Sequence, residues 1–75
     1  GYRGLMKKSF IVKIAPEYME MKNIPSNIGL VLRGPYEHVI KLTPQYSTCE
    51  AMYDVLVSGK IYKLVPCVYC TKVKK

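Results

Sequence analysis

Apolar and polar residues alternate along much of this chain, and the alternation predicts four β-strands. In 9–15 every second side chain is large and apolar, which is typical of a strand with one buried face. The run 28–33 is almost entirely apolar and indicates a strand covered on both faces. A third strand is predicted at 38–42, with His38 on its apolar face. In 60–65 one face would carry Ile61, Lys63 and Val65 and the other Tyr62 and Leu64, as expected for a half-exposed edge strand.

Turn and capping residues lie between these strands. Gly34-Pro35 predicts a tight turn that joins the second and third strands into an antiparallel hairpin. A helix is then predicted up to residue 58. Thr43-Pro44 is one start signal, and the capping box Ser47-x-x-Glu50 is a better one. Gly59 is a natural stop. Helical spacing would turn four residues toward the sheet: Cys49, Met52, Tyr53 and Leu56.

The order β-β-β-α-β predicts an α+β fold, in which one helix packs on a small, mainly antiparallel sheet of about four strands. Prolines bracket 16–27, so most of this segment is predicted as loop, with a single helical turn at 17–21 as an option. We assign 1–8 to a flexible lead-in, 9–66 to a single α+β domain and 67–75 to a basic tail with a Cys-x-x-Cys pair.

Length and composition exclude several classes of protein. A chain of 75 residues allows one domain, which buries only about 60% of its unfolded surface and leaves no room for a separate cofactor domain. The 49% hydrophobic content is too high for a disordered chain. No apolar run reaches the roughly 18 residues of a membrane helix, so we expect no membrane partner. Three cysteines without a secretory signal predict a reducing compartment, cytoplasm or nucleus, and not secretion.

The net charge of +7 is concentrated at the two ends of the chain. Residues 1–13 carry +4, residues 60–75 carry +5, and the middle carries −2. If both ends lie in neighbouring strands, they form one basic patch that suits a polyanion such as nucleic acid. The alternative is that terminal lysines only keep a small domain in solution.

Two tyrosines in the second basic cluster strengthen the nucleic-acid hypothesis. Tyr62 and Tyr69 lie among lysines, and aromatic rings can stack on bases while ammonium groups hold phosphates. Tyrosine is equally at home in protein interfaces, and it also fills small cores with its hydroxyl pointing outward. The predicted nucleic-acid-binding residues are Lys7, Lys8, Lys60, Tyr62, Lys63, Tyr69 and Lys72.

The three cysteines and the one histidine are the candidate metal ligands. Cys67, Cys70, Cys49 and His38 could supply a tetrahedral Cys₃His zinc site, and a metal would support so small a core. The competing interpretation gives these residues structural roles, with Cys49 as a small apolar residue on a buried helix face and no cofactor at all. A disulfide or a thioredoxin-like redox pair fits less well, because the Cys-x-x-Cys pair follows a strand near the end of the chain.

No complete set of catalytic groups stands out, which favours a non-catalytic role. The five carboxylates are scattered, and nothing in the sequence places His38 beside Cys49 or Cys70 for nucleophilic catalysis. No glycine-rich phosphate loop is present either.

Three segments together resemble a known family. Phe10-Ile-Val-Lys-Ile-Ala-Pro16, Asn23-Ile-Pro-Ser-Asn-Ile-Gly-Leu-Val-Leu32 and Val39-Ile-Lys-Leu42 resemble the second half of small PD-(D/E)XK nucleases. In that half, a strand ending near Ala-Pro is followed by a loop, an Ile-Pro…Gly-Leu strand entry and a hairpin partner. The resemblance covers 10–42. The family's catalytic Asp and Glu-x-Lys would precede Phe10, where this chain has no such motif, so no catalytic residue is assigned.

The sequence therefore supports three hypotheses. The first is a small, basic, non-catalytic accessory protein, of the kind that viruses and mobile elements encode, which binds nucleic acid through a Lys/Tyr surface. The second is a self-associating protein-interaction module or inhibitor that docks through its tyrosines and the edge strand 60–65. The third, implied by the resemblance, is a fragment or inactive relative of a nuclease.

Overall fold

The structure, a computed structural model, describes residues 9–73, which form one five-stranded antiparallel sheet and one α-helix. The elements in chain order are β1 (Ile11–Ile14), α1 (Pro16–Lys22), β2 (Ile28–Lys41), β3 (Ser47–Val57), β4 (Lys60–Pro66), a 3₁₀ turn (Cys67–Tyr69) and β5 (Cys70–Lys72). The strand order is β4-β3-β2-β1-β5. The predicted small α+β fold is confirmed, as is the edge position of 60–65. Within the described range, no helix is long and apolar enough to cross a membrane.

One face of the sheet forms the core with α1. Alternate residues of the four longer strands point to this face, because successive side chains of a strand project to opposite sides. Tyr18 on α1 and Ile24 just after it complete the cluster. Its buried members are Val12, Ile14, Tyr18, Ile24, Val31, Val55, Val57 and Val65.

The helix lies in the segment that was predicted to be mostly loop. Pro16 occupies the first helical position, where its missing N–H costs no hydrogen bond. Asn23 ends the helix in the left-handed conformation, at φ 56°, and Pro25 follows. Burial of Tyr18, which is 4% exposed, stabilises this short helix, since seven residues are too few to be helical alone in water.

The predicted helix at 47–58 is wrong, because this segment is β3. Its pairing with β2 and β4 outweighs the local capping signal of Ser47 and Glu50. The β-branched residues Val55 and Val57 point into the core. Gly59, predicted as a helix stop, instead belongs to a two-residue hairpin turn. Ser58 and Gly59 both have positive φ, as type I′ hairpin turns require.

The predicted hairpin at Gly34-Pro35 is also wrong. β2 runs through both residues as one long strand, with register shifts against β3 on either side of Arg33. The chain reverses at 42–46 instead, where the Leu42 N–H donates to the Tyr46 carbonyl at 3.0 Å. β4 pairs with β3 only as far as Met52, so residues 37–51 extend beyond it as a two-stranded ribbon, here called the arm.

The chain end belongs to the sheet. Residues 67–75 were predicted to be a tail outside the domain, but Cys70–Lys72 forms β5 and pairs with β1. The short 3₁₀ turn at Cys67–Tyr69 carries the chain from one edge of the sheet to the other. The predicted lead-in, 1–8, lies outside the described residues.

The face opposite α1 is apolar and is covered by no described element. Directly paired residues share a face of the sheet. The strand registers therefore align five aliphatic side chains in a single row across this face, one from each of β1 to β4 and one just after β5. This aliphatic row consists of Val73, Ile11, Leu30, Leu56 and Ile61. Ile11 is 41% exposed, Ile61 39% and Val73 42%. Within 28–33 Leu32 is buried, but Ile28 is 46% exposed, so the described residues do not cover this strand fully on both faces as predicted. The face is called the open face below.

Gly29→Ala should lower the free energy of unfolding by about 1–3 kcal/mol, because the added Cβ would overlap Val55 Cγ1 in the core. Urea denaturation measures the loss. Val55→Ala destabilises by leaving a cavity, but in the double variant the two changes offset each other. The double variant should therefore lose less than the sum of the single losses. Simple additivity would contradict this close contact.

Candidate nucleic-acid interface

The pairing of β1 with β5 brings one lysine from each basic segment to the same edge of the sheet, Lys13 from the first segment and Lys72 from the second. Val12 lies opposite Lys72 and Lys13 opposite Thr71, and the Val73 N–H donates to the Ile11 carbonyl at 2.9 Å. β1 and β5 are therefore neighbouring strands, and each carries a lysine of one basic segment. Five more basic residues precede β1 or follow β5 in the sequence and lie outside the described residues: Arg3, Lys7, Lys8, Lys74 and Lys75.

A cavity of about 390 Å³ lies beside this edge. Lys13, Asn27 and Thr71 contribute polar side chains to its lining, and Tyr69 contributes an aromatic ring. Two backbone hydrogen bonds fix its walls: Ile14 N–H to the Asn27 carbonyl at 2.7 Å, and Ala15 N–H to the Tyr69 carbonyl at 2.8 Å. The edge therefore combines a cation, hydrogen-bonding groups and a ring around one concave site.

Tyr69 is held rigidly in this site. Its ring stacks on Tyr18, with centroids 4.8 Å apart and planes inclined by 26°. Burial raises the pKa of Tyr18, so this tyrosine remains neutral at physiological pH. One face of Tyr69 is thus occupied within the protein, and a ligand would meet its remaining surface.

Lys72 is positioned by an aromatic ring that the sequence analysis did not select. Its Nζ lies 4.5 Å from the centre of the Phe10 ring, within the range of a cation–π contact. Phe10 in turn packs edge-to-face on Tyr53, with centroids 5.5 Å apart. The sequence signal was present, because Phe10 alternates with the core residues of β1, but only the sheet places it beside Lys72.

Three other predicted residues lie at the far edge of the sheet. Lys60, Tyr62 and Lys63 are on β4, which stands at the opposite end of the strand order from β5. Lys60 Nζ lies 5.2 Å from the centre of the Tyr62 ring, so this edge has a cation–π pair of its own. The 3₁₀ turn joins β4 to β5, and Cys70 Sγ lies 3.8 Å from the Pro66 carbonyl oxygen, so the two strands approach each other at this end.

The four predicted zinc ligands are not assembled. Cys49 is exposed on the arm beside His38, which pairs with Glu50, while Cys67 and Cys70 are half-buried around the 3₁₀ turn. Across residues 9–73, no three His, Cys, Asp or Glu side chains form a group that could hold a metal ion. The competing interpretation of Cys49 as a residue on a buried helix face is wrong as well, because Cys49 lies exposed on β3.

Asp54 is a buried polar residue that the sequence analysis missed, since a helix would have left it in solvent. It is 1% exposed and accepts a hydrogen bond from the Tyr36 hydroxyl. The Leu64 N–H lies 3.4 Å from the same carboxylate, and Arg33 Nη1 lies 3.8 Å from its other oxygen. Burial, followed by the hydrogen bond to Asp54, raises the pKa of Tyr36. The cluster ties β2, β3 and β4 together where their registers shift.

The three thiols should differ in reactivity. Burial raises the pKa of Cys70 to about 11, which leaves only about one thiol in a thousand ionised at pH 8. Burial also raises the pKa of Cys67, whereas Cys49 is fully accessible on the arm. Under maleimide labelling followed by peptide mass mapping, Cys49 should react first and Cys70 last. Cys49→Ser should remove the fast phase, and equal rates at Cys49 and Cys70 would contradict the described burial.

Comparisons of the chain with protein-family models, with curated proteins and with solved structures found no match. The geometry of the β1/β5 edge is therefore the basis for a functional conclusion.

Proposed function

We propose that this protein binds nucleic acid along the β1/β5 edge, without catalysing a reaction on it. The observation that carries the proposal is the antiparallel pairing of these two strands, which brings Lys13 of the first basic segment and Lys72 of the second to one edge. Lys13 and Lys72 are the described cations of this edge, and Tyr69 and Phe10 are its aromatic groups.

The distribution of charge supports a polyanionic partner. Residues 1–15 and 60–75 contain no aspartate or glutamate, so no carboxylate in either segment opposes an approaching phosphate. The carboxylates lie in the middle of the chain. Two of them, Glu17 and Glu20, lie on α1, and two others, Glu37 and Glu50, lie on the arm. An edge that carries positive charge attracts a polyanion and speeds its association.

The residue types predict how the strand would be held. Lysine is a flexible point charge, so it neutralises phosphates without the paired geometry that arginine uses to read bases. Contacts with the phosphate backbone then supply most of the affinity, so binding shows little sequence preference. The cavity beside Lys13 would accept a base from a single strand, since the bases of a duplex are stacked and paired.

The double variant Lys13→Gln/Lys72→Gln should weaken binding to a labelled single-stranded oligonucleotide and flatten its salt dependence. Two lost phosphate contacts reduce the slope of log K against log salt by about 1.4–1.8. Fluorescence anisotropy over a range of salt concentrations measures both effects.

The matched control is Lys60→Gln/Lys63→Gln, which removes the same charge from the opposite edge. It should leave affinity and slope nearly unchanged. Equal losses from both double variants would show that net charge, and not the β1/β5 edge, determines binding. An absence of binding at low salt would overturn the proposal altogether.

A further inference from the structure

The arm exposes apolar side chains on a ribbon that lacks its own support. Beyond Met52 it consists only of the paired ends of β2 and β3, and a two-stranded hairpin is marginally stable in water by itself. Val39 is 60% exposed on it, Leu42 64% and Tyr46 69%. Tyr46 lies at the tip, where its N–H is fixed by the Thr43 hydroxyl at 3.0 Å.

The open face offers a complementary surface. Its aliphatic row crosses the sheet, and a hollow of about 330 Å³ opens at one end of the row. The hollow is lined by Ser9, Phe10, Ile11, Leu30 and Val73, so it is apolar and bordered by one ring. A hollow of this kind suits an aromatic side chain supplied by another molecule.

We propose that the arm of one copy docks on the open face of a second copy, with Tyr46 inserted into the hollow of that copy. In this arrangement a two-fold axis runs between the two arms. The contact is therefore reciprocal, with the arm tip of each copy on the aliphatic row of the other copy. This is an isologous arrangement, in which the same two surfaces are used twice.

The arm is long enough to cross several strands of the open face. From Glu37 to Leu42 it runs about 17 Å at the usual rise of a strand. Adjacent strands lie about 4.8 Å apart, so one arm can cross the paired residues Ile11, Leu30 and Leu56. A stable dimer buries about 1,200–2,000 Å² in total, and each of the two equivalent contacts needs to supply only half of that area.

The charges of the two surfaces are complementary. The arm carries Glu37, Glu50 and Lys41, for a net charge of −1 in a chain of +7. On the open face Lys13 lies opposite Ile28, and Arg33, 63% exposed, stands at the base of the arm. An acidic arm fits a basic second copy better than it fits a nucleic acid.

The first test measures dimerisation of the parent protein and of variants at the anchor residue Tyr46 and at the exposed residues Val39 and Val68. Sedimentation velocity over a concentration series should show a monomer–dimer equilibrium for the parent protein. Tyr46→Ala should raise the dimer dissociation constant about 30-fold or more, as expected for an interfacial aromatic anchor. Tyr46→Phe keeps the ring and should keep the dimer.

Val39→Ser on the arm should also weaken the dimer, whereas Val68→Ser should not. Val68 is 85% exposed on the 3₁₀ turn and belongs to neither the arm nor the aliphatic row, so it controls for the loss of an exposed valine. A parent protein that stays monomeric at every concentration would overturn the proposal. Equal effects of the two valine substitutions would overturn it as well.

The second test identifies the contacting surfaces by cross-linking in a Cys49→Ser background. A copy carrying Leu42→Cys, next to the arm tip, is mixed with a copy carrying Ser9→Cys, at the hollow. A cross-linked heterodimer should form from the mixture and exceed the homodimeric products of either variant alone. Products dominated by arm-to-arm linkage of the Leu42→Cys variant would show a different interface and overturn the docking on the open face.

Discussion

A seven-residue helix can cover only one face of a five-stranded sheet, and the rest of this structure follows from that constraint. α1 delivers Tyr18, and the chain after it delivers Ile24, to the side where the buried valines of four strands converge. On the other side, the aliphatic row is covered by none of the described elements. Domains usually bury each apolar face against a second layer, which is why this face is the basis of the proposed docking between copies.

The cluster around Asp54 lies close to the point where the arm begins, since Asp54 is two residues from Met52, where the pairing of β3 with β4 ends. A buried carboxylate is costly unless hydrogen bonds and a cation compensate for its lost hydration. Tyr36, the Leu64 N–H and Arg33 supply that compensation, and the Arg33 guanidinium also lies 4.4 Å from the centre of the Tyr36 ring. The contacts gather where β2 and β4 each contain extra residues relative to β3. Beyond this point β4 departs from β3, and the arm continues alone.

The two proposed binding surfaces use different physical forces. The β1/β5 edge is basic and carries lysines over or beside rings, so its interactions with a polyanion are electrostatic and weaken with salt. The arm and the open face are mainly apolar, and their association depends on buried area. Because Lys13 borders both the edge cavity and the open face, the two surfaces adjoin along β1. A dimer would carry two such basic edges, one from each copy.

The sequence by itself determined the α+β class, the first strand, the edge strand 60–65 and the concentration of positive charge at both ends. These features depend on local alternation and on counting residues. It did not determine the state of 47–57 or of 16–22. The capping residues Ser47 and Glu50 favour a helix locally, and only the ladders with β2 and β4 made the segment a strand. The placement of Tyr69 and Tyr62 at opposite edges, the burial of Asp54 and the meeting of β1 with β5 were likewise decided by tertiary structure. Each depends on pairings between residues distant along the chain, which no local pattern encodes.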